Sequence, residues 1–503
     1  MRGWEVAVDL RADGDQPIFL RLARAISDDV RRGRLRPGDA LPGSRTLART
    51  LGVHRNTVLA AYGELAAEGW ITTAEATGTF VSTALPEVEA RRSPGIGARV
   101  AMPSRLGYDL PRRAPPPPQL PPLPTARVSK TARGKAANLA SLPLQLSNGI
   151  PDVRLLPTAP LARAYRRALG HSPELLDYGD SRGLMRLRAA LAAMLSALRG
   201  VAASADDVLI TRGSQMALDL VARALLAPGD VVAVEGLGYR PAWTALASTG
   251  ARVVPVPVDG EGIDVDALAA LAAREALRAI YVTPHHQYPT TVGLAAGRRL
   301  QLLELARTRR IAVIEDDYDF EFHYEGRPVL PLAASDTSGS VVYIGTLSKI
   351  LAPSLRLGFL VAPPPLVAEM REIRRYIDKH GDQVVEHAVA ELIEDGELQR
   401  HARRMRRIYH ARRDLMATTL QARLGDVLQL TVPAGGMALW ARAADGIDVD
   451  AWAERCRERG ADLRTGRYFA FDGRARPNLR LAFANLSEPE IEEAVRRLVL
   501  ALA

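Results

Sequence analysis

Residues 111 to 124 read PRRAPPPPQLPPLP. Proline fixes its own φ, lacks a backbone donor and restrains the residue before it, so this run stays extended and cannot join a core. The surrounding segment, residues 84 to 146, holds ten Lys or Arg against three Asp or Glu, which places +7 of the chain's formal +9 there. It is read as a semi-rigid basic linker. The 503 residues therefore divide into a small unit at 1–83 and a large one at 147–503, joined without being fused. The linker's cations either touch a DNA backbone non-specifically or serve only to solubilise it.

No run of 18 or more apolar residues occurs, and the first twenty residues carry acids and a proline where a signal peptide needs an apolar centre. A cytoplasmic protein is expected. The single cysteine, Cys456, cannot form an internal disulfide, and no Cys/His cluster has zinc-ligand spacing, so no metal is expected.

The large unit contains "YIGTLSKILAPSLRLGFL" (343 to 360), which includes one of only four lysines in a chain with 62 arginines. Arginine stays protonated, whereas a desolvated lysine loses its proton and attacks carbonyls. Lys349 is thus a candidate imine former. Thr346 and Ser348 before it and Arg356 after it supply neutral and charged donors of the kind a phosphate-bearing aldehyde requires. The pattern S-K-x(6)-R-x-G, ending at Gly358, resembles the cofactor-lysine segment of fold-type I pyridoxal-phosphate (PLP) enzymes, the aminotransferase superfamily.

The rest of that site has counterparts in the same order. "VLITRGSQMALDL" gives a strand, the turn Gly213, Ser214 and Gln215, and a helix whose free amides suit an anion. "DVVAVEGLGYRPAW" ends near Tyr239, whose ring resembles the one that stacks on the pyridine. "IAVIEDDYDFEFHY" (311 to 324) opens as a buried strand and ends in acids. Alternation along a strand puts Asp316 and Tyr318 on one face. Taken alone, these acids could equally bind a metal or face solvent; the resemblance assigns Asp316 to the ring nitrogen and Tyr318 to the phenolic oxygen. It also implies that Tyr178, in "LLDYGDSRGLMRLRAAL", reaches the phosphate across a dimer interface, and that Arg480, in "NLRLAFANLSE", clamps an amino acid carboxylate. The segment "VTPHHQYPTTVG" (282 to 293) departs from the superfamily's Asn-Pro-x-Gly: Tyr288 or Gln287 stands in place of the Asn, and Thr291 in place of the glycine. His285, His286 and Gln287 either line the substrate side or are merely exposed.

The small unit has an amphipathic segment with Phe19, Leu22, Ala23, Ile26 and Val30 on one helical face. "SRTLARTLGVHRNTVLAAYGELAAEGW" follows, giving a short helix capped by Ser44, a turn at Gly52 and a second helix burying Val58, Ala61, Tyr62 and Leu65. "WITTAEATGTFVS" offers two short β segments. The whole resembles the winged helix of GntR-type bacterial repressors, whose pattern L-P-S-x-R-x-L-A-x-x-L-G-V-x-R-x-T-V is nearly complete. His54, Arg55, Asn56 and Thr57 are placed to meet base edges and phosphates, with Arg45, Thr77, Gly78 and Thr79 toward the backbone or minor groove. Residues 1 to 85 carry 11 Arg and 10 acids, so arrangement rather than bulk charge carries the DNA reading.

Winged helix, long linker and aminotransferase-like domain together resemble the MocR family of GntR-type regulators over the full length. The resemblance implies an α/β fold: a winged helix-turn-helix, a Pro-rich linker, and a fold-type I domain with a mixed, mainly parallel sheet flanked by helices and a smaller C-terminal α+β subdomain. It implies a PLP-dependent transcriptional regulator, a homodimer binding a two-half-site operator, which senses an amino compound or PLP itself through an aldimine at Lys349. The alternative is a true aminotransferase with an accessory DNA-binding head.

Overall fold

The computed structural model describes residues 17–31, 34–74, 78–83, 144–147, 149–170, 173–326 and 329–502. The linker expectation, apart from its last residues, and Thr77 lie outside them. Among the described residues no helix is long and apolar enough to cross a membrane.

The N-terminal unit has three helices, α1 (Ile18–Arg31), α2 (Ser44–Leu51) and α3 (Arg55–Ala67), and three short strands, β1 (Ala40–Leu41), β2 (Ile71–Ala74) and β3 (Gly78–Val81), ordered β1-β3-β2. Leu22, Ala23, Ile26 and Val30 of α1 pack on Val58, Ala61, Tyr62 and Leu65 of α3, as the helical spacing requires. Phe19 is only half-buried at the edge of this core. Gly52 ends α2 at φ +65°, a left-handed cap that a side chain disfavours, and this sets the turn into α3. Ser44 does not cap α2: it is the first helical residue, Gly43 precedes the helix, and the Ser44 hydroxyl instead accepts from Arg55 Nε at 3.3 Å. The unit touches the large domain, where Leu300 joins its core and Arg24 donates to the Ala334 carbonyl.

The large domain is built on a seven-stranded sheet in the order Val208–Thr211, Gly358–Val361, Val341–Thr346, Ala312–Asp317, Leu277–Val282, Val231–Glu235, Arg252–Val256. Gly358–Val361 runs antiparallel to both neighbours and every other adjacent pair is parallel. Helices on both faces bury it, so the strands Ala312–Asp317 and Val341–Thr346 are buried at every position instead of at alternate ones. Ligands in such sheets bind beyond the carboxyl ends of the strands.

The C-terminal subdomain is a four-stranded sheet of Leu428–Leu430, Ala438–Ala443, Asn478–Ala482 and Arg464–Thr465, covered by Val449–Glu458, Glu488–Leu502 and the long helix Glu397–Leu424. Leu144–Gln145, just ahead of residue 147, pairs in parallel with Ala461–Asp462 and so belongs to this subdomain.

Candidate cofactor site and DNA interface

The carboxyl ends of four strands, Val208–Thr211, Val231–Glu235, Ala312–Asp317 and Val341–Thr346, lead to one cavity of about 260 Å³, lined by Gly213, Ser214, Gln215, Tyr239, Asp316, Tyr318, Thr346, Ser348, Lys349, Arg356 and Arg480. Ten of the sequence candidates from the large domain are thus brought to one place beside Lys349. Tyr178 is not among them. Its ring is 75% exposed, edge-on to His380 and under the Lys379 ammonium, away from this chain's cavity.

Lys349 follows the fully buried strand Val341–Thr346, and its Nζ donates to the Gly149 carbonyl at 2.7 Å. Burial and the nearby Arg480 guanidinium lower its pKa from 10.5 to about 8, against the opposing pull of Asp319 and Asp316. A larger fraction of neutral, nucleophilic amine results.

The acidic run separates into distinct tasks. Glu315 accepts from the amides of Leu332 and Ala333, and Asp317 accepts from the Tyr343 hydroxyl at 2.6 Å and lies near Arg199. Only Asp316 of these three lines the cavity. Its Oδ2 accepts from the Tyr281 hydroxyl at 2.9 Å, while its Oδ1 is buried with no partner among the described residues. Burial raises Asp316 to about 7, opposed by the Tyr281 hydrogen bond and the Lys349 charge. A buried orphan acceptor is costly, and a protonated pyridine nitrogen would satisfy it. Tyr318 lies one residue beyond the end of the strand; its hydroxyl donates to the His286 carbonyl at 2.9 Å.

The anion end is a turn and a helix start. Gly213 sits at φ +80° before the helix Ser214–Leu225, whose first amides lack partners from a preceding turn. A Cβ on Gly213 would meet the Arg356 guanidinium at 3.4 Å, and one on Gly358 would lie 2.8 Å from the Gly213 backbone. Both glycines therefore let Arg356 and the turn close on the same space. Arg356 itself takes φ +49° and donates to the Arg212 carbonyl at 2.7 Å.

The 282 to 293 segment resolves the departure from Asn-Pro-x-Gly. Gln287 is spent on the loop: its amide donates to the carbonyls of Leu237 and Tyr288, and its oxygen accepts from Thr290. Tyr288 is the residue that lines the cavity, edge-on to Tyr239 and Tyr318 and under the Arg480 guanidinium at 4.7 Å. Thr291 adopts φ +65°, so the backbone keeps the conformation that favours glycine. His285 and His286 are buried but do not line this cavity.

Arg480, on the strand Asn478–Ala482, is 1% exposed and has no ion-pair partner among the described residues. Among the described residues its guanidinium donates one hydrogen bond, to the Ser147 carbonyl at 3.4 Å. Sequence reading missed Tyr281, Thr283, Gly149, Ile150 and Pro353, which complete the lining. These residues fit PLP: Lys349 as the amine, Asp316 as the acid, and Gly213, Ser214, Gln215 and Arg356 around an anion.

In the winged helix, Arg45, His54, Arg55 and Asn56 are exposed, Thr57 and Thr79 are half-buried, and Gly78 opens β3 at φ +124°. His54 also caps α3, its Nδ1 accepting from the Asn56 amide at 3.2 Å. The polar residues cluster at the start of the second helix of the pair, the part of this motif that enters a major groove.

The comparisons agree with both halves. Residues 143–498 match the family Aminotransferase class I and II, and residues 19–81 match Bacterial regulatory proteins, gntR family. The probable rhizopine catabolism regulatory protein MocR of Rhizobium meliloti is 31% identical across 97% of this chain and 94% of its own length. The HTH-type transcriptional regulator TauR of Rhodobacter capsulatus is 33% identical across 98% of each chain. Among solved structures, the alpha-aminoadipate aminotransferase LysN of Thermus thermophilus, complexed with N-(5'-phosphopyridoxyl)-L-leucine, superposes with a TM-score of 0.67 and 32% identity over 72% of this chain and 93% of its own. A winged helix of the gntR type, a PLP-binding aminotransferase fold and relatives that share both over nearly their whole length make this chain a member of the MocR family of GntR-type, PLP-dependent transcriptional regulators.

Proposed function

We propose that this regulator senses a small compound bearing both an amine and an anionic group, read at Lys349 and Arg480, and that it acts on a two-half-site operator as a homodimer. The observation that carries the effector class is Arg480: a buried guanidinium without an ion pair among the described residues, in the same cavity as the lowered-pKa Lys349. A buried cation is expensive unless it is compensated, and a carboxylate-like ligand would compensate it bidentately.

When bound, PLP supplies an electrophilic carbonyl carbon and an electron-accepting ring. Lys349 offers the nucleophilic amine, Asp316 presents its free oxygen, and Gly213, Ser214, Gln215, Thr346, Ser348 and Arg356 provide donors for an anion. Tyr239 and Tyr288 bound the aromatic side of the cavity. Tyr178, exposed in the single chain, supports the dimer, because a ring on this surface is available to a second copy.

His54, Arg55, Asn56 and Thr57, with Arg45 and Gly78, form the DNA-reading surface. An effector that binds the two states of a dimer unequally shifts the placement of its two heads.

The test is a visible absorption spectrum of the purified protein, repeated with a panel of amino compounds plus a keto acid, alongside operator binding. A band that shifts with one compound, stays shifted and changes operator affinity supports the sensor. A band that cycles while keto product accumulates would make the chain an aminotransferase with a DNA-binding head.

A further inference from the structure

His285 and His286 follow the strand Leu277–Val282, and His323 lies beyond Ala312–Asp317, where it bridges to Gly435. Each of the three histidines offers one ring nitrogen, and these nitrogens lie within 4.8 Å of one another. His285 Nε2, His286 Nε2 and His323 Nδ1 are all buried without a hydrogen-bond partner among the described residues. Three orphan ring nitrogens in one buried spot are costly if nothing satisfies them.

We propose that these three imidazoles form a site for a divalent transition metal of the zinc type. Imidazole suits such ions, and three protein nitrogens with one open position are a recurrent coordination set. Bonds of about 2.0–2.1 Å in a tetrahedron separate the ligand nitrogens by about 3.4 Å, so nitrogens already within 4.8 Å of one another have at most about 1.4 Å to close.

The surroundings fit a cation. His286 Nδ1 is held by Asp319 Oδ1 at 2.8 Å, the carboxylate–histidine arrangement that fixes a metal-ligating ring and leaves its other nitrogen free. Asp319 is 1% exposed and its Oδ2 has no partner among the described residues, so a second carboxylate oxygen stands free beside the imidazoles. The Gly435 backbone packs against His286 so closely that a Cβ there would fall 2.2 Å from Nε2. His323 is half-buried and also lines a separate cavity of about 280 Å³ with Phe320, Glu321 and Arg199, which gives an ion and a water a route in.

The site is distinct from the cofactor cavity but adjoins it, since the His286 carbonyl accepts from the Tyr318 hydroxyl. Spacing along the sequence did not reveal it because His323 joins the adjacent histidine pair only through the fold.

The experiment uses full-length protein, stripped with a chelator, dialysed and loaded with Co²⁺ or Zn²⁺. Metal content by mass spectrometry and the Co²⁺ visible bands are read with the PLP band as a check on folding. The wild type should retain about one equivalent, and His323→Ala and His285→Asn should each weaken binding at least tenfold with the PLP band intact. If His323→Ala loses the PLP band, His323→Asn, which keeps more of the packing, replaces it. A wild type that retains no stoichiometric metal, or folded variants that bind as tightly as the wild type, would overturn the site.

Discussion

The Tyr281 hydroxyl donates to Asp316 Oδ2 at 2.9 Å from the neighbouring parallel strand, leaving Oδ1 as the only buried, unpartnered oxygen of that carboxylate. Burial raises Asp316 to about 7 even with this bond opposing it. Tyr281→Phe keeps the ring and removes the donor. The carboxylate should become harder to ionise, and PLP affinity should fall by about tenfold, the scale of one hydrogen bond to a charged group. Titration of apo-protein with PLP, followed by visible absorbance, measures this; unchanged affinity would remove Tyr281 from the cofactor's support.

Lys349 predicts a pH dependence of definite sign. Its folded pKa of about 8 lies below the ordinary 10.5. Below pH about 8 both folded and unfolded apo-protein carry the proton, and the folded state bears the full cost of the buried cation. Between the two values the unfolded chain binds a proton that the folded chain does not, so stability rises with pH across that window. Lys349→Met should therefore melt higher than wild-type apo-protein near neutral pH, with the gap closing toward about pH 10. The variant should also lose the visible PLP band and retain operator binding; loss of both together would mean that the DNA-binding unit depends on the cofactor site.

Arg480 separates ligand recognition from stability. In the absence of effector its guanidinium is buried without an ion pair among the described residues, so Arg480→Met should leave the melting temperature unchanged or raise it. The spectral response to an anionic amino compound should weaken by tenfold or more. Because Arg480 helps lower the Lys349 pKa, the pH at which PLP condenses with the protein should move upward in the same variant. A full effector response in Arg480→Met would exclude the carboxylate role.

What could be read from sequence was local. Lys349, Arg356 and the Gly213 turn lie at the ends of short segments whose chemistry is continuous along the chain, and all meet at one cavity. Tyr281 was missed because strand register puts it beside Asp316, and register is not written in either segment alone. Gly149 was missed for a similar reason: it reaches the Lys349 amine from a segment anchored in the C-terminal subdomain. Asp316 and Tyr318 were expected to share a strand face, but the strand ends at Asp317 and Tyr318 reaches the cavity from the loop beyond it. Thr291 shows a backbone conformation outlasting the glycine usually associated with it.

Arg55 and His54 are adjacent, but their substitutions should behave differently. Arg55 is exposed and, among the described residues, held only by a 3.3 Å bond to Ser44, so Arg55→Ala should cost little stability. If it contacts a phosphate, operator affinity should drop similarly on all sequences and the salt slope should shrink by about 1; if it reads a base, discrimination at one position should relax, worth about 1–3 kcal/mol. Unchanged affinity would remove Arg55 from the DNA surface. His54 caps α3 through Nδ1, so His54→Ala should also destabilise the small unit by about 1 kcal/mol. His54→Asn restores a capping side chain. Recovery of the melting temperature without recovery of operator affinity would assign the DNA contact to the imidazole itself, whereas recovery of both would make His54 a cap alone.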